Sequence, residues 1–326
     1  MSTYYTSKYS GEQIDEAVRK ILDGEMTGDY ADRQLSNLDT PQAALANLGA
    51  GVRPNLLDNA IFIGGGSQQG GGQLPVNQRG QTSYTAAWYT IDRWMCLESS
   101  TLDINSDGIT IDASNIGAFI RTIVPNIVPG ETYTLSVLAE IIAGSPMLGA
   151  WDAGEVKMTN GLSKFTFTAV NTTDSVYFCR NTDGDPVCSV KAKAAKLEEG
   201  STQTLAYQNE DGAWQLLPQP ESDYATQLAK CQRYLQLSIA GDYRASYISA
   251  NSIVFVVPTP VTMRVSPTII GGFLVKTIDG SMQTGFTFAA QKMSNHIIVT
   301  ATKTAHGILD AMLSIQSNTD GFTAEL

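Results

Sequence analysis

The sequence predicts a mainly β chain: a short α-helical N-terminal stub followed by two β-sandwich domains of jelly-roll type. Three observations predict it. Only 16% of the 326 residues are charged, against about 25% in an ordinary soluble domain. Threonine, a β-branched strand former, occurs 32 times, more often than lysine and arginine together at 21. From residue 73 onward, turn signals punctuate short runs of β formers at the roughly 8–12-residue rhythm of a sandwich.

Residues 1–50 carry the helical patterns. Ser10 and Gln13 fit a capping box, and Ile14, Ala17, Val18, Ile21 and Leu22 recur behind it at helical spacing until Gly24. Thr40 caps a second helix, with Pro41 at its first position, Ala44, Leu45 and Leu48 on its apolar side and Gly49 at its end. Neither helix is long enough to stand alone in water. The stub therefore needs a partner: another copy of the chain, a particle to dock on, or the chain's own β domain.

Residues 51–207 are expected to form the first sandwich. It opens with a loop in which Gly64-Gly65-Gly66 and Gly70-Gly71-Gly72 flank Ser67-Gln68-Gln69, with no GxxxxGK[ST] to make it a phosphate cradle. Strands are expected within 87–97, as strand–turn–strand over 101–112 with the turn at Asn105–Gly108, and at 132–137, 164–168 and 176–179. Residues 208–220 read as a linker, stiffened by Leu217-Pro218-Gln219-Pro220. Residues 221–326 form the second β domain. Ser222 is expected to cap its opening helix, with Leu228, Cys231 and Leu235 on one face. Strands follow at 252–257, 268–275, 284–290, 296–302 and 308–316, with a hairpin turn at Asp279-Gly280.

Composition removes several function classes. The net charge of −11 is spread along the chain without a basic patch, which argues against nucleic-acid binding. No apolar run reaches the length of a membrane span, and the first residues lack the basic and apolar regions of a signal peptide. Cys96, Cys179, Cys188 and Cys231 are far apart with no CxxC, so free thiols of a reducing cytosol are expected, Cys179 and Cys188 being the one pair that could face each other across a hairpin. His296 and His306 are the only histidines, which leaves little for a nucleophilic triad, and no enzyme is expected. Among the acids, Asp92, Asp152 and Glu155 do not single out a catalytic pair.

Two patterns carry binding chemistry. Asp103-Ile104-Asn105-Ser106-Asp107-Gly108 matches the start of a calcium loop, with Asp103, Asn105 and Asp107 as ligands. Its twelfth position is Ser114 rather than Glu, so the ordinary hairpin turn is favoured, and no cofactor is expected beyond that calcium alternative. The aromatic residues Tyr84, Trp88, Tyr89 and Trp94 cluster, with Trp151 apart in Gly149-Ala150-Trp151-Asp152. Flat exposed rings with polar neighbours suit sugars. Trp94 is expected in the core, one of Trp88 and Tyr89 outward, and Trp151 exposed. The candidate glycan-binding set is Tyr84, Trp88, Tyr89, Trp151 and Asp152.

A series of motifs resembles one family. Pro54-Asn55-Leu56-Leu57-Asp58-Asn59-Ala60, Asn77-Gln78-Arg79-Gly80 and Tyr89-Thr90-Ile91-Asp92-Arg93-Trp94 resemble the opening of bacteriophage tail-fibre β-sandwich domains that look like carbohydrate-binding modules. Lys196-Leu197-Glu198-Glu199-Gly200-Ser201 resembles the strand that closes them. Ala229-Lys230-Cys231-Gln232-Arg233-Tyr234 is similar to the "CQRYY" helix of a fibre-tip domain, and Phe255–Pro258 with Met263–Thr268 to the tip that follows. Leu35–Leu38 with Ala43–Gly49 resembles a segment that precedes such domains. The resemblance implies a homotrimeric receptor-binding fibre of the virion, assembled in the host cytoplasm and reading host cell-surface glycans. It implies attachment to other virion proteins through residues 1–50, with Ile14, Val18, Ile21 and Leu22 as the attachment face. The alternatives are a non-adhesive structural fibre or decoration protein of head, neck or baseplate, and a surface-polysaccharide depolymerase.

Overall fold

Alternation along the strands decides the fold. In the computed structural model, which describes residues 52–66, 73–86, 88–209, 211–237, 239–317 and 319–325, the chain is almost entirely β, with a single helix among the described residues. The two N-terminal helices and Ile14, Val18, Ile21 and Leu22 lie outside the described residues.

Up to Glu199 the described residues supply eleven strands: β1 (Ser83–Thr85), β2 (Met95–Leu97), β3 (Ser100–Asn105), β4 (Gly108–Ala113), β5 (Phe119–Pro125), β6 (Thr132–Ala143), β7 (Met147–Ala150), β8 (Gly154–Lys157), β9 (Gly161–Thr168), β10 (Thr173–Arg180) and β11 (Cys188–Glu199). They form two antiparallel sheets, β1-β3-β4-β11-β6-β9 and β2-β5-β10-β7-β8. Period-two patterning turns one face of each sheet inward. Ile109, Ile111, Leu135, Val137, Val190 and Leu197 from the first sheet share a core with Ile120, Val124, Leu148, Val176 and Phe178 from the second. Trp94 is fully buried there, edge-on to Phe62 and Phe178, and its indole N–H donates to the Asn59 carbonyl at 3.0 Å.

Two strand expectations need correction. The β-rich stretch 87–97 contributes only Met95–Leu97, because a tight turn closes before it: Arg93 has φ 75° and the Trp94 amide donates to the Ile91 carbonyl. The stretch 268–275 is broken in two at Gly271, where φ is 84° and a Cβ would collide with Asp320.

Arg53–Leu205 and Gln219–Leu326 belong to one compact unit. Ala206–Pro218 belong to another, in which β12 (Ala206–Gln208) pairs with β13 (Trp214–Leu216) across the stretch expected as linker. The rest of the larger unit opens with α1 (Tyr224–Gln232). Its cap is Asp223, accepting from the Thr226 amide, and not Ser222, whose hydroxyl donates to the Gln219 carbonyl. Then follow β14 (Leu235–Gln236), β15 (Gly241–Ile248), β16 (Ser252–Pro258), β17 (Thr268–Ile270), β18 (Phe273–Thr277), β19 (Met282–Gln283), β20 (Thr287–Lys292), β21 (His296–Thr302), β22 (Ala311–Ile315) and β23 (Gly321–Thr323). They make a seven-stranded sheet, β19-β18-β22-β15-β16-β21-β20, and a three-stranded one, β14-β23-β17. Phe322 of the smaller sheet meets Phe273 of the larger edge-on at 5.4 Å, in a core that also holds Phe255, Val275, Val299 and Leu313. Leu235, expected on the helix, is the first residue of β14.

The motifs behind the family resemblance serve packing. The Gln78 side chain donates to Asp92 at 2.6 Å and to the Leu235 carbonyl at 2.9 Å. Arg79 ion-pairs with Asp92 and Glu325, Arg93 stacks 3.6 Å over the Tyr234 ring, and the Asn59 amide donates to Gln227. These contacts join the sandwich to α1, to Tyr234 and Leu235 just after it, and to Glu325 just beyond β23. Burial pushes the Asp92 carboxyl up to about 6, against the opposing pull of Arg79, and likewise raises Glu325. Lys196 and Glu198, both fully buried, pair at 3.3 Å and clasp Thr204, which gives its amide and hydroxyl to Glu198 and accepts from Lys196 at 2.8 Å.

Candidate glycan-binding cleft

The outward face of the five-stranded sheet carries a row of side chains laid across its strands. Phe119, Arg121 and Ile123 of β5 face out, while Ile120, Thr122 and Val124 face the core. Strand register then aligns Arg121 with Tyr177 of β10, Tyr177 with Gly149 of β7, and Gly149 with Glu155 of β8. Gly149 is what lets the row close. A Cβ there would sit 2.7 Å from the Tyr177 hydroxyl and 2.4 Å from the Gly154 carbonyl. Without it, the Tyr177 hydroxyl reaches Glu155 and donates at 2.9 Å.

Strand β10 bends just beyond Tyr177. Phe178 points into the core by ordinary alternation, but Cys179, with φ 55°, stays buried as well, and the pairing with β7 shifts between Tyr177 and Arg180. This bulge returns Arg180 to the same outward face as Tyr177. Arg180 ion-pairs with Glu155 at 2.9 Å and lies 5.5 Å from the Tyr177 ring and 5.9 Å from the Trp151 ring. Burial lowers the Arg180 pKa, but Glu155 more than offsets it and the net shift is upward. Burial, reinforced by Glu155, pushes the Tyr177 phenol up to about 12, so it remains a donor at neutral pH.

Trp151 stands at the β7–β8 turn, 54% exposed, its amide donating to the Ser175 carbonyl. Its ring packs 5.9 Å from Phe119 and 6.3 Å from Tyr177, which hold it without covering it. Trp88, 68% exposed, lines the same cleft as Trp151. The cleft encloses about 560 Å³ and is lined also by Glu98, Ile116, Arg121 and Arg180. On the far side of Trp151 a smaller hollow of about 210 Å³ holds Asp152, Asp174 and again Arg121. Arg121 meets no carboxylate at ion-pair distance among the described residues. Its Nε is buried without a hydrogen-bond partner, and burial lowers its pKa. The two hollows together offer two indole faces, the carboxylates of Glu98, Asp152 and Asp174, and the guanidinium donors of Arg121 and Arg180.

Of the residues expected to bind sugar, Trp88, Trp151 and Asp152 come to this surface. Tyr84 does not: it is 4% exposed, inward-facing in β1, and its hydroxyl is hydrogen-bonded to Asn77. Tyr89 is half-buried beside Arg79, whose guanidinium lies 5.2 Å from its ring. Phe119, Arg121, Glu155, Tyr177 and Arg180 were not in the expected set, apart from Glu155 as an unpaired acid.

The Asp103–Gly108 loop is the β3–β4 hairpin, with Asn105 opposite Gly108. Asp107 ion-pairs with Lys191 at 2.5 Å, and the Asn105 amide donates to the Thr110 hydroxyl, so two of the three expected calcium ligands are engaged within the protein. Among the described residues no three His, Cys, Asp or Glu side chains converge. Cys179 and Cys188 are buried free thiols, the Cys179 Sγ lying 3.4 Å from the Cys188 carbonyl. His296 sits beside Asn295, and His306 Nδ1 accepts from the Ile308 amide.

No protein-family model and no curated protein matches the chain. Among solved structures it is similar to the tandem CBM22 domains of Xyn10C from Paenibacillus barcinonensis, at 11% identity and a TM-score of 0.27, covering 74% of this chain and 93% of that one. It is also similar to a cycloisomaltooligosaccharide glucanotransferase from Paenibacillus sp., complexed with cycloisomaltoheptaose, at 10% identity and a TM-score of 0.23, covering 72% of this chain and 45% of that one. At these TM-scores neither likeness bears on function.

Proposed function

We propose that this chain is a glycan-binding protein that recognises sugars on the outward face of its first sandwich, and that it serves as a receptor-binding fibre of a bacteriophage virion. The observation that carries the glycan reading is the pair of exposed indoles, Trp88 and Trp151, lining one cleft with Glu98, Arg121 and Arg180, the last held in place by Glu155 and Tyr177. Stacking on an indole accepts the apolar face of a pyranose, while fixed donors and acceptors select its hydroxyls. The fibre reading is supported by the motif series from Leu35 to Thr268, kept in one order along the chain. In it, residues 1–50 attach to other virion proteins through Ile14, Val18, Ile21 and Leu22, and the chain is a homotrimer assembled in the host cytoplasm.

Light scattering after size exclusion tests the assembly: a mass three times 35.0 kDa is expected, and a monomer at every concentration contradicts it. Competition tests the function. Purified chain should block adsorption of its phage to the host, and the Trp88→Ala/Trp151→Ala double variant should not. Equal blocking by both proteins, or by neither, contradicts the reading.

A further inference from the structure

Folding gathers four cations that the sequence scatters. Lys230 and Arg233 lie at the C-terminal end of α1, Arg264 in the loop after β16, and Lys292 at the end of β20. With Thr226 and Thr262 they line a hollow of about 640 Å³, well apart in sequence from the Trp151 cleft, and no carboxylate lines it. The nearest counter-charge is exposed Glu221, which pairs with Lys230 at 2.6 Å. Cations at a helix C-terminus offset its dipole, which accounts for Lys230 and Arg233. It does not account for Arg264 and Lys292. The Arg264 amide donates to the Arg233 carbonyl, and Lys292 Nζ donates to the Arg264 carbonyl at 2.7 Å, so backbone contacts hold the charged groups together. Arg264 Nε is buried with no hydrogen-bond partner. Neither Arg233 nor Arg264 meets a carboxylate at ion-pair distance among the described residues. With Lys230 paired to Glu221 and Arg264 lying 5.6 Å from the Tyr234 ring, Arg233, Arg264 and Lys292 remain three like charges lining one hollow with no carboxylate partner among the described residues, and they repel one another unless an anion joins them.

We propose that this hollow is a second binding site, for the phosphate or carboxylate groups of an acidic polysaccharide. The polymer class rests on the function proposed above; the anion chemistry does not. A polysaccharide is favoured over nucleic acid because no aromatic ring lines the hollow to stack bases and the surrounding chain is acidic.

The test is calorimetric titration of the full chain at low salt with polyphosphate, polygalacturonate and duplex DNA. At least one of the two acidic polymers should bind, and added salt should weaken it. Binding of polyphosphate alone assigns phosphate, of polygalacturonate alone carboxylate, and of both a site that reads charge. Arg233→Glu, at an exposed position, should weaken that binding by about tenfold or more. Arg264→Lys, which keeps the charge but loses the planar fork, should weaken it less. Trp151→Ala should leave it unaltered, so a failure of the aromatic cleft is distinguishable from a failure here. The proposal is overturned if neither acidic polymer binds at low salt, if Arg233→Glu binds like the wild type, or if DNA binds as tightly as the acidic polymers.

Discussion

Trp151 and Tyr84 mark the difference between a ring offered to solvent and a ring used by the core. Trp151 caps a turn and rests on Phe119 and Tyr177, so its outer face is free at no cost in packing. Trp151→Ala should therefore reduce glycan affinity by about tenfold or more while shifting the urea midpoint little. Tyr84→Phe should do the reverse. It removes the bond to Asn77, costs about 1 kcal/mol of stability, and leaves glycan affinity unchanged by the same titration. The exposure of Trp151 was legible in the sequence because Gly149-Ala150-Trp151-Asp152 reads as a turn. The burial of Tyr84 was not, because β1 is only three residues long and offers too little alternation to fix a face. Arg180 was missed for a different reason. Plain alternation from Tyr177 points it inward, and only the positive φ at Cys179, invisible in composition, returns it to the surface.

Among elements, the long strands and their turns were legible and the cross-strand relations were not. The β3–β4 hairpin turns where Asn105–Gly108 placed it, and β6 begins at Thr132, where the strand expected over 132–137 begins. The row Arg121–Tyr177–Gly149–Glu155 joins residues far apart in sequence, and its order follows from sheet topology alone. Gly149 tests that row. Gly149→Ala should destabilise the protein by roughly 1–3 kcal/mol through overpacking against the Gly154 carbonyl, as read from the urea midpoint. It should also release the Tyr177–Glu155 bond, seen as a fall in the Tyr177 pKa from its raised value in a spectroscopic titration, since Glu155 is one of the groups raising it.

At the scale of the whole molecule, the motif residues that suggested a family, among them Arg79, Asp92 and Arg93, hold the fold together, and the proposed glycan cleft is lined by residues outside those motifs. Arg79 shares its charge between two buried carboxylates, Asp92 and Glu325. Arg79→Ala leaves both without that cation and should cost roughly 3–5 kcal/mol, visible in calorimetry as a lower or split transition. The pH dependence has a definite sign. The folded Asp92 carboxyl lies near 6, above its ordinary value of 3.8, so the native state holds the proton more tightly than the unfolded chain. The group's contribution to stability is greatest below 3.8 and is lost as pH rises through 6. Asp92→Asn should flatten the fall in stability across that window; an unchanged slope would place the raised group elsewhere.

The central claim is that Trp88 and Trp151 frame a sugar-binding cleft, and a glycan array probed with the full chain and with its Trp88→Ala/Trp151→Ala variant tests it most directly. The account predicts that the wild type retains a defined group of surface glycans and that the folded variant loses the neutral members of that group. A wild type that retains none, or a variant that retains the same neutral glycans, would contradict it.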